Sequence, residues 1–316
     1  KSVTDCLYLM ANGQNTGGLD LVRMNEGTVT VTNSYKTTSA GSYGTLCVVT
    51  STVPFDLGTL KQDYGIRVKA YDNGICYDDT YYMLPATLSG SGTKEAPYLI
   101  RSVYEWDSFT LNVNNYSGEY VKLTADISVS TMAGTSEANS YQGTFLGNGH
   151  TITANISDTN NQGTALFRYI NGATIKDLTV GGTITGGMHA AAIVGFAQGT
   201  GNSIRNCVAT ANVSGGTHIG GILGHGTTSD IAISGCVFSG TMTGGGEAKG
   251  ALFGWGDNGG AKSVTDCLYV MADGQNTTNL DLVRQYQGTV SVTNCYKTTS
   301  AGSYGTQCIF TNSAPS

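Results

Sequence analysis

The sequence predicts an all-β fold, a right-handed parallel β-helix with coils of about 29 residues and a small β connector. Three observations predict this fold. The composition is rich in glycine and poor in charge, two rows of apolar residues recur with a common period, and apolar and polar residues alternate inside each period.

The composition favours strands joined by tight turns. The 316 residues include 45 glycines and 4 prolines, and charged residues make up 12% of the chain. Aromatic and β-branched residues are plentiful, which argues against a disordered chain. The net charge is −6 and no basic patch is visible, so nucleic acid is not an expected partner. No stretch approaches 18 apolar residues, so we expect no membrane insertion by this segment.

Two rows of residues define the coil period. The first row has spacings of 29, 29, 31 and 28 residues and comprises Leu178, Cys207, Cys236, Cys267 and Cys295. The second row has spacings of 27, 29, 30 and 30 residues and comprises Leu166, Ile193, Ile222, Leu252 and Leu282. Because two independent rows share one period, each period should form one coil that stacks on the next.

Alternation inside a period is typical of strands. Leu178, Val180 and Ile184 share one parity, whereas Thr183 and Thr185 take the other, as expected for apolar-in and polar-out strands. We find no helix start and no amphipathic helical stripe, so no helix is expected.

A longer repeat joins the two ends of the chain. Residues 1–47 match residues 262–308 with 37 identities in 47 positions, at an offset of 261. Near-identity at this distance indicates a tandem array. We therefore expect residues 1–47 to be the last coils of a preceding unit, residues 90–308 to be the β-helix and residues 309–316 to begin another connector.

Residues 48–89 have a different texture, with more charge and several tyrosines, and we interpret them as the small β connector. Continuation of the coil stack is the alternative. Asn73-Gly74 between two strand-like segments predicts a hairpin. Cys47 and Cys76 flank this segment, and a disulfide between them would close a loop of about 30 residues and contribute roughly 3 kcal/mol. Cys308 would then pair with a residue of the next unit.

Metal and cofactor sites are not expected. No CxxC and no zinc-like Cys/His spacing occurs. Asp72, Asp78 and Asp79 form a weak calcium candidate, because carboxylates suit a hard cation but the ordered calcium-loop motif is missing. The histidines His189 and His218 have no acidic or cysteine neighbours at a useful spacing in the sequence.

Three further rows are candidate sites. Stacked cysteines usually act as small buried apolar residues, and Ser34 replaces Cys295 in the other copy, which weakens a functional role for the thiols. An acidic and amide row precedes them and is broken at Gly235; it comprises Asp177, Asn206, Asp266 and Asn294. It can stabilise turns or, on an exterior face, bind calcium or act as acid and base.

The third row is aromatic, with spacings of 27, 29 and 30 residues, and comprises Tyr169, Phe196, His225 and Trp255. Facing outward, it is a candidate ligand surface on which sugar rings could stack. The neighbouring Arg168 and Arg284 are expected to face water, and that parity favours an internal stack instead.

The order of several motifs resembles the GLUG-motif tandem repeats of large bacterial surface and secreted proteins. The motifs are GSGTKEAPYLI from Gly90, GTFLGNGHTI from Gly143, ALFRYINGATIKDLTVGG from Ala165 and IGGILG from Ile219. The resemblance implies a pectate-lyase-like right-handed β-helix that is exported and displayed on a cell surface. It implies no catalytic residues.

The expected function is therefore non-enzymatic. We expect a repeat unit of an extracellular bacterial adhesin or stalk that provides reach and rigidity. Its expected partners are adjacent repeat units of the same protein and glycans or host surface proteins. The alternatives are a polysaccharide lyase or glycoside hydrolase on a β-helix, and a carbohydrate-binding module.

Overall fold

A computed structural model describes residues 87–227, 229–244, 249–278, 280–284 and 289–298 in full, and elsewhere only the backbone of strands. The chain divides into two compact units, Lys1–Thr87 and Leu88–Ser316.

The described strands of the first unit form three small sheets. Ser2–Thr4 pairs in parallel with Thr30–Thr32. Leu7–Tyr8 pairs in parallel with Tyr35–Thr37, which pairs antiparallel with Cys47–Val49. The third sheet is the antiparallel pair Gly65–Asp72 and Ile75–Met83, which flanks the Asn73-Gly74 dipeptide.

The second unit is a β-solenoid of about six turns with roughly 29 residues per coil, and three sheets form its sides. The first sheet is parallel throughout and contains Tyr98–Ile100, Tyr120–Leu123, Thr144–Leu146, Thr174–Lys176, Asn202–Arg205, Ile231–Ser234, Lys262–Thr265 and Val290–Thr293. The second sheet is parallel up to its last strand and contains Ile127–Val129, Thr151–Asp158, Thr179–Gly186, Val208–Ala209, Asn212–Gly215, Val237–Phe238, Met242–Gly244, Leu268–Tyr269, Tyr296–Thr298 and the antiparallel Cys308–Phe310. The third sheet is parallel and contains Phe167–Asn171, Val194–Gln198, Ile219–Gly220, Leu223–Gly226, Lys249–Gly256 and Leu280–Val283. The predicted fold class is confirmed.

The core runs through the middle of the coils. Every residue of the two predicted apolar rows is buried and belongs to one continuous hydrophobic cluster. Register explains the rows, because Ile175 pairs with Ile204 and Ile204 with Ile233, so equivalent side chains of successive coils lie side by side. We expect the coils to wind right-handed, as nearly all parallel crossovers do.

The expectation that no helix occurs is wrong. An α-helix spans Val103–Leu111, and a short 3-10 helix follows at Val113–Tyr116. Ser102 caps the α-helix by accepting a hydrogen bond from the backbone N–H of Glu105. The sequence contained this signal, since Ser102 and Glu105 have the spacing of a capping box.

The same helix packs against the core near the beginning of the solenoid. Trp106 and Phe109 are fully buried, and the Trp106 ring lies 6.0 Å from Phe145 and 5.8 Å from Phe167 between ring centroids. The helix has only nine residues and two large apolar side chains, which is too few to produce a clear apolar stripe. The periodicity of the sequence therefore does not predict it.

The row of acids and amides forms a ladder at the corner between the first and second sheets. All four residues adopt left-handed backbone conformations, with φ between 51° and 56°. Asn206 Nδ2 donates to Asp177 Oδ1 at 3.2 Å, and Asn294 Nδ2 donates to Asp266 Oδ1 at 3.1 Å. Each amide thus donates to the carboxylate of the preceding coil. These contacts are the ones expected of a turn-stabilising row.

The two copies of the 47-residue repeat share their strand pairings. Ser2 pairs with Thr30 as Ser263 pairs with Ser291, 261 positions later. In both copies, one further antiparallel strand follows the parallel pairs, at Cys47–Val49 and at Cys308–Phe310.

Candidate functional site: an aromatic and histidine cluster

The aromatic row forms a ladder along the third sheet. Tyr169 pairs in register with Phe196, Phe196 with His225, and His225 with Trp255. The Tyr169 and Phe196 rings stack nearly parallel with their centroids 4.9 Å apart. Each coil thus contributes one ring to the same line.

The ladder lies outside the continuous hydrophobic core, although Phe196 and His225 are buried and Tyr169 and Trp255 are half-buried. The expectation that Arg168 faces water is wrong. Its side chain is 11% exposed, and Nη1 lies 3.1 Å from Asp158 Oδ2. A partner carboxylate compensates for the burial of this guanidinium, so parity cannot decide which way the ladder faces.

Two more histidines join the ladder from the segments that precede its strands. His189 lies 4.3 Å from His225 between ring centroids, and His218 lies 3.9 Å from Trp255. We call His189, His218, His225, Phe196 and Trp255 the histidine cluster. Neither His189 nor His218 has a functional neighbour in the sequence. The two residues are 29 positions apart, however, and this coil period predicts that they lie side by side.

The backbone around these histidines approaches the third sheet closely. A Cβ atom placed on Gly224 would lie 2.0 Å from the His189 carbonyl oxygen, and one on Gly254 would lie 2.7 Å from that of His218. Glycine is therefore required at Gly224. His189 and His218 also adopt the left-handed backbone region, with φ of 62° and 57°. Such conformations persist where packing enforces them.

Asp257 connects two members of the cluster. Trp255 Nε1 donates to Asp257 Oδ1 at 2.8 Å, and His225 Nε2 lies 3.0 Å from Asp257 Oδ2. One carboxylate thus accepts a hydrogen bond from the indole and lies at ion-pair distance from the imidazole at the end of the ladder. No spacing rule singled out this residue, because its role depends on which rings the coil places beside it.

Burial dominates the electrostatics of the cluster. Desolvation, with smaller contributions from the nearby His225 and His218, lowers the pKa of His189 to about 3. Desolvation also lowers the pKa of His225, although Asp257 acts in the opposite direction. Both imidazoles are therefore neutral at pH 7. Nδ1 of each is buried without a hydrogen-bond partner among the described residues.

A nucleophilic enzyme uses a carboxylate, a histidine base and a nucleophile, and the Asp257–His225 pair resembles the first two of these groups. Within the described ranges, no Ser, Thr or Cys side chain is hydrogen-bonded to His225, and no three His, Cys, Asp or Glu side chains have metal-binding geometry.

Protein groups already contact the rings that were the candidate ligand surface. His218 lies 3.9 Å from the Trp255 ring and the Arg284 guanidinium lies 4.4 Å from its centroid, while Tyr169 stacks on Phe196. A sugar ring needs a free aromatic face. The observed contacts therefore favour an internal stack over a sugar platform.

The cysteines form a thiol ladder, which comprises Cys207, Cys236, Cys267 and Cys295. All four are buried and free. Each Sγ donates to the carbonyl oxygen two residues earlier, at 3.1 to 3.4 Å. Hydrogen bonding to the neighbouring thiol Cys236, together with burial, raises the pKa of Cys267 to about 12. Cys267 is thus uncharged at pH 7, and the ladder lies within the core, as the sequence predicted for small apolar residues.

The disulfide candidate Cys47–Cys76 and the calcium candidate Asp72, Asp78 and Asp79 have side chains outside the described residues, and both stay predictions. In the described part of the chain, no helix has the length and apolar character needed to cross a membrane.

Neither a protein-family model nor a curated protein matches the chain. One similar solved structure is that of a proposed immunoglobulin A1 protease from Bacteroides ovatus. It is 20% identical, covers 72% of this chain and 83% of its own, and has a TM-score of 0.46. At this identity and score, the similarity supports no inference about activity.

Proposed function

We propose that the chain is a non-enzymatic repeat unit of a large, secreted bacterial adhesin or stalk at the cell surface. Its role is to provide reach and rigidity and to present a surface to glycans or host proteins. The observation that carries this proposal is the 47-residue repeat, which returns at an offset of 261 with the same strand pairings in both copies. Repetition suits a task in which length or multivalency matters.

The packing of the solenoid supports a rigid role. One hydrophobic cluster runs from Leu88 to Cys295, so every coil is held by its neighbours over a continuous core. The helix anchors Trp106 and Phe109 cover apolar residues near one end of this core. A stack of this kind resists bending because bending would open close-packed contacts between coils.

The histidine cluster supports the non-enzymatic part of the proposal. The pKa values of its buried His189 and His225 are lowered by desolvation, and both imidazoles pack against Phe196. A general base must instead reach the proton that it abstracts.

Surface labelling tests the location and role together. Antibodies raised against the 316-residue chain should label intact cells of the source bacterium, and electron microscopy should show thin fibres that protease shaving removes. Labelling only after lysis would contradict the proposal. Cleavage of uronic-acid polysaccharides by the purified chain would also contradict it and would favour the lyase or hydrolase alternative.

A further inference from the structure

A small cavity lies between the second and third sheets. Its volume is about 260 Å³, and it is lined by Thr241, Met242, Thr243, Gly244, Lys249, Asp273, Gly274, Gln275 and Asn276. Neither the coil rows nor the proposed stalk role accounts for a cavity with a lysine and an aspartate in its lining.

Lys249 is the residue that the fold does not explain. It pairs in register with Ile219 on one side and Leu280 on the other, so a lysine occupies a row of buried aliphatic residues. The residue is only 5% exposed. Among the described residues, no carboxylate oxygen lies within 4 Å of its ammonium, and Nζ is not one of the fully buried polar atoms. Because the stem of this lysine is buried and no described carboxylate pairs with its ammonium, the ammonium favours the binding of an anion in the cavity.

The cavity wall is already fixed by hydrogen bonds. Gln275 Oε1 accepts from Met242 N at 2.8 Å, and its Nε2 donates to Met242 O at 2.9 Å. The Gln275 side chain thereby pairs with the strand Met242–Gly244 as a neighbouring strand would. A ligand would find this wall in place and would not have to order it first.

The remaining lining residues suit hydroxyl groups. Thr243 and Asn276 supply exposed polar side chains, and the carboxylate of Asp273 accepts hydrogen bonds. Gly274 leaves its backbone accessible in the cavity, because it has no side chain and no atom beyond its chain neighbours lies within 4 Å of the position of a Cβ. One cation and one carboxylate together favour a singly charged ligand over sulfate or phosphate, because Asp273 would repel additional negative charge.

We infer that this cavity binds the carboxylate-bearing terminal sugar of an acidic glycan, with the carboxylate at Lys249 and ring hydroxyls at Asp273, Thr243 and Asn276. The volume is below the roughly 300–1,000 Å³ of sites for drug-sized ligands, which suits one sugar residue. The biological setting of this inference rests on the proposed adhesin role, whereas the binding itself can be measured without it.

Titration of the whole chain tests the inference. Heteronuclear NMR or calorimetry should detect binding of glucuronic acid or N-acetylneuraminic acid. Glucose, acetate and sulfate should bind much more weakly. Lys249→Met should weaken binding of the acidic sugar at least tenfold, and its apolar side chain matches the row in which it lies. Lys122→Met, on the first sheet, is the matched control and should bind as the unaltered chain does.

Failure of both acidic sugars to bind, or equal binding by Lys249→Met, would overturn the inference. Equal binding of sulfate would show a simple anion site and would overturn the sugar assignment. Should Lys249→Met not fold, the exposed and nearly isosteric Thr243→Val provides a second test with an expected severalfold loss. None of these outcomes bears on surface labelling, so failure here and failure of the stalk proposal are separable.

Discussion

The thiol ladder and the histidine cluster both repeat once per coil, but they differ in whether their buried polar atoms have hydrogen-bond partners. Each thiol is in the hydrophobic core and has a carbonyl oxygen as its hydrogen-bond acceptor. The cluster lies outside that core, and Nδ1 of both His189 and His225 is buried without a partner among the described residues. Periodicity alone therefore does not distinguish a row whose polar atoms are hydrogen-bonded from a row whose polar atoms are not. Four measurements test this difference between the ladder and the cluster.

Acid should separate the two regions most strongly. The folded pKa of His189 is about 3, below the value of 6.5 expected when unfolded, so the unfolded state binds more protons between these values. The contribution of neutral His189 to the free energy of unfolding is fully present above pH 6.5 and falls as the pH drops toward 3. At pH 4 the loss from this group is on the order of 3 kcal/mol. Urea unfolding at pH 7 and pH 4, followed by tryptophan fluorescence, measures the loss.

His189→Asn removes the titrating group while keeping a residue that tolerates left-handed backbone. It should reduce the difference between the two pH values, although it lowers stability at pH 7. Tyr169→Phe, which changes no group that titrates in this range, is the control. An unchanged pH difference in His189→Asn would show that His189 is not the group responsible.

Removal of the Asp257 carboxylate should have the next largest effect. Asp257→Ala leaves the Trp255 indole N–H without its acceptor and His225 without its partner, at a cost of about 2 kcal/mol. Asp257→Asn should lose less, because its amide oxygen can still accept from Trp255. Thermal unfolding of both variants beside Asp281→Ala, an exposed acid of the same sheet, measures the cost. Equal stability of Asp257→Ala and Asp281→Ala would show that Asp257 does not stabilise the cluster.

The middle of the thiol ladder should respond moderately. Cys236→Ala leaves a cavity of about one methyl group, which costs roughly 1 kcal/mol. Its effect should be the same at pH 7 and pH 4, unlike that of His189→Asn, because no titrating imidazole is involved. A pH-dependent loss in urea unfolding would contradict the separation between ladder and cluster.

The smallest effect is expected at Cys295, where the other copy of the repeat has Ser34. Cys295→Ser should change stability by only a few tenths of a kcal/mol, since a hydroxyl can donate to the same carbonyl oxygen of Thr293. Thermal unfolding measures the change, and a loss as large as that of Cys236→Ala would show that the sulfur is needed.

The features that depend on the coil period can be predicted from the sequence. Rows such as Cys207 and Cys236, alternation along strands, and the corner acids and amides were readable because parallel pairing places residues one coil apart side by side. The α-helix was also within reach through Ser102 and Glu105, but it was missed because its apolar anchors make no stripe.

Tertiary structure alone decided the features that depend on which segments pack onto a sheet. The backbone at His189 approaches Gly224, Arg168 finds Asp158, and Lys249 enters an aliphatic row beside a cavity. Each of these contacts joins a connecting segment or an exceptional residue to a coil whose shape is set by all its neighbours. A one-dimensional period carries no information about such packing, because the contacts follow from the path of the connecting segments and not from the spacing of residues along the chain.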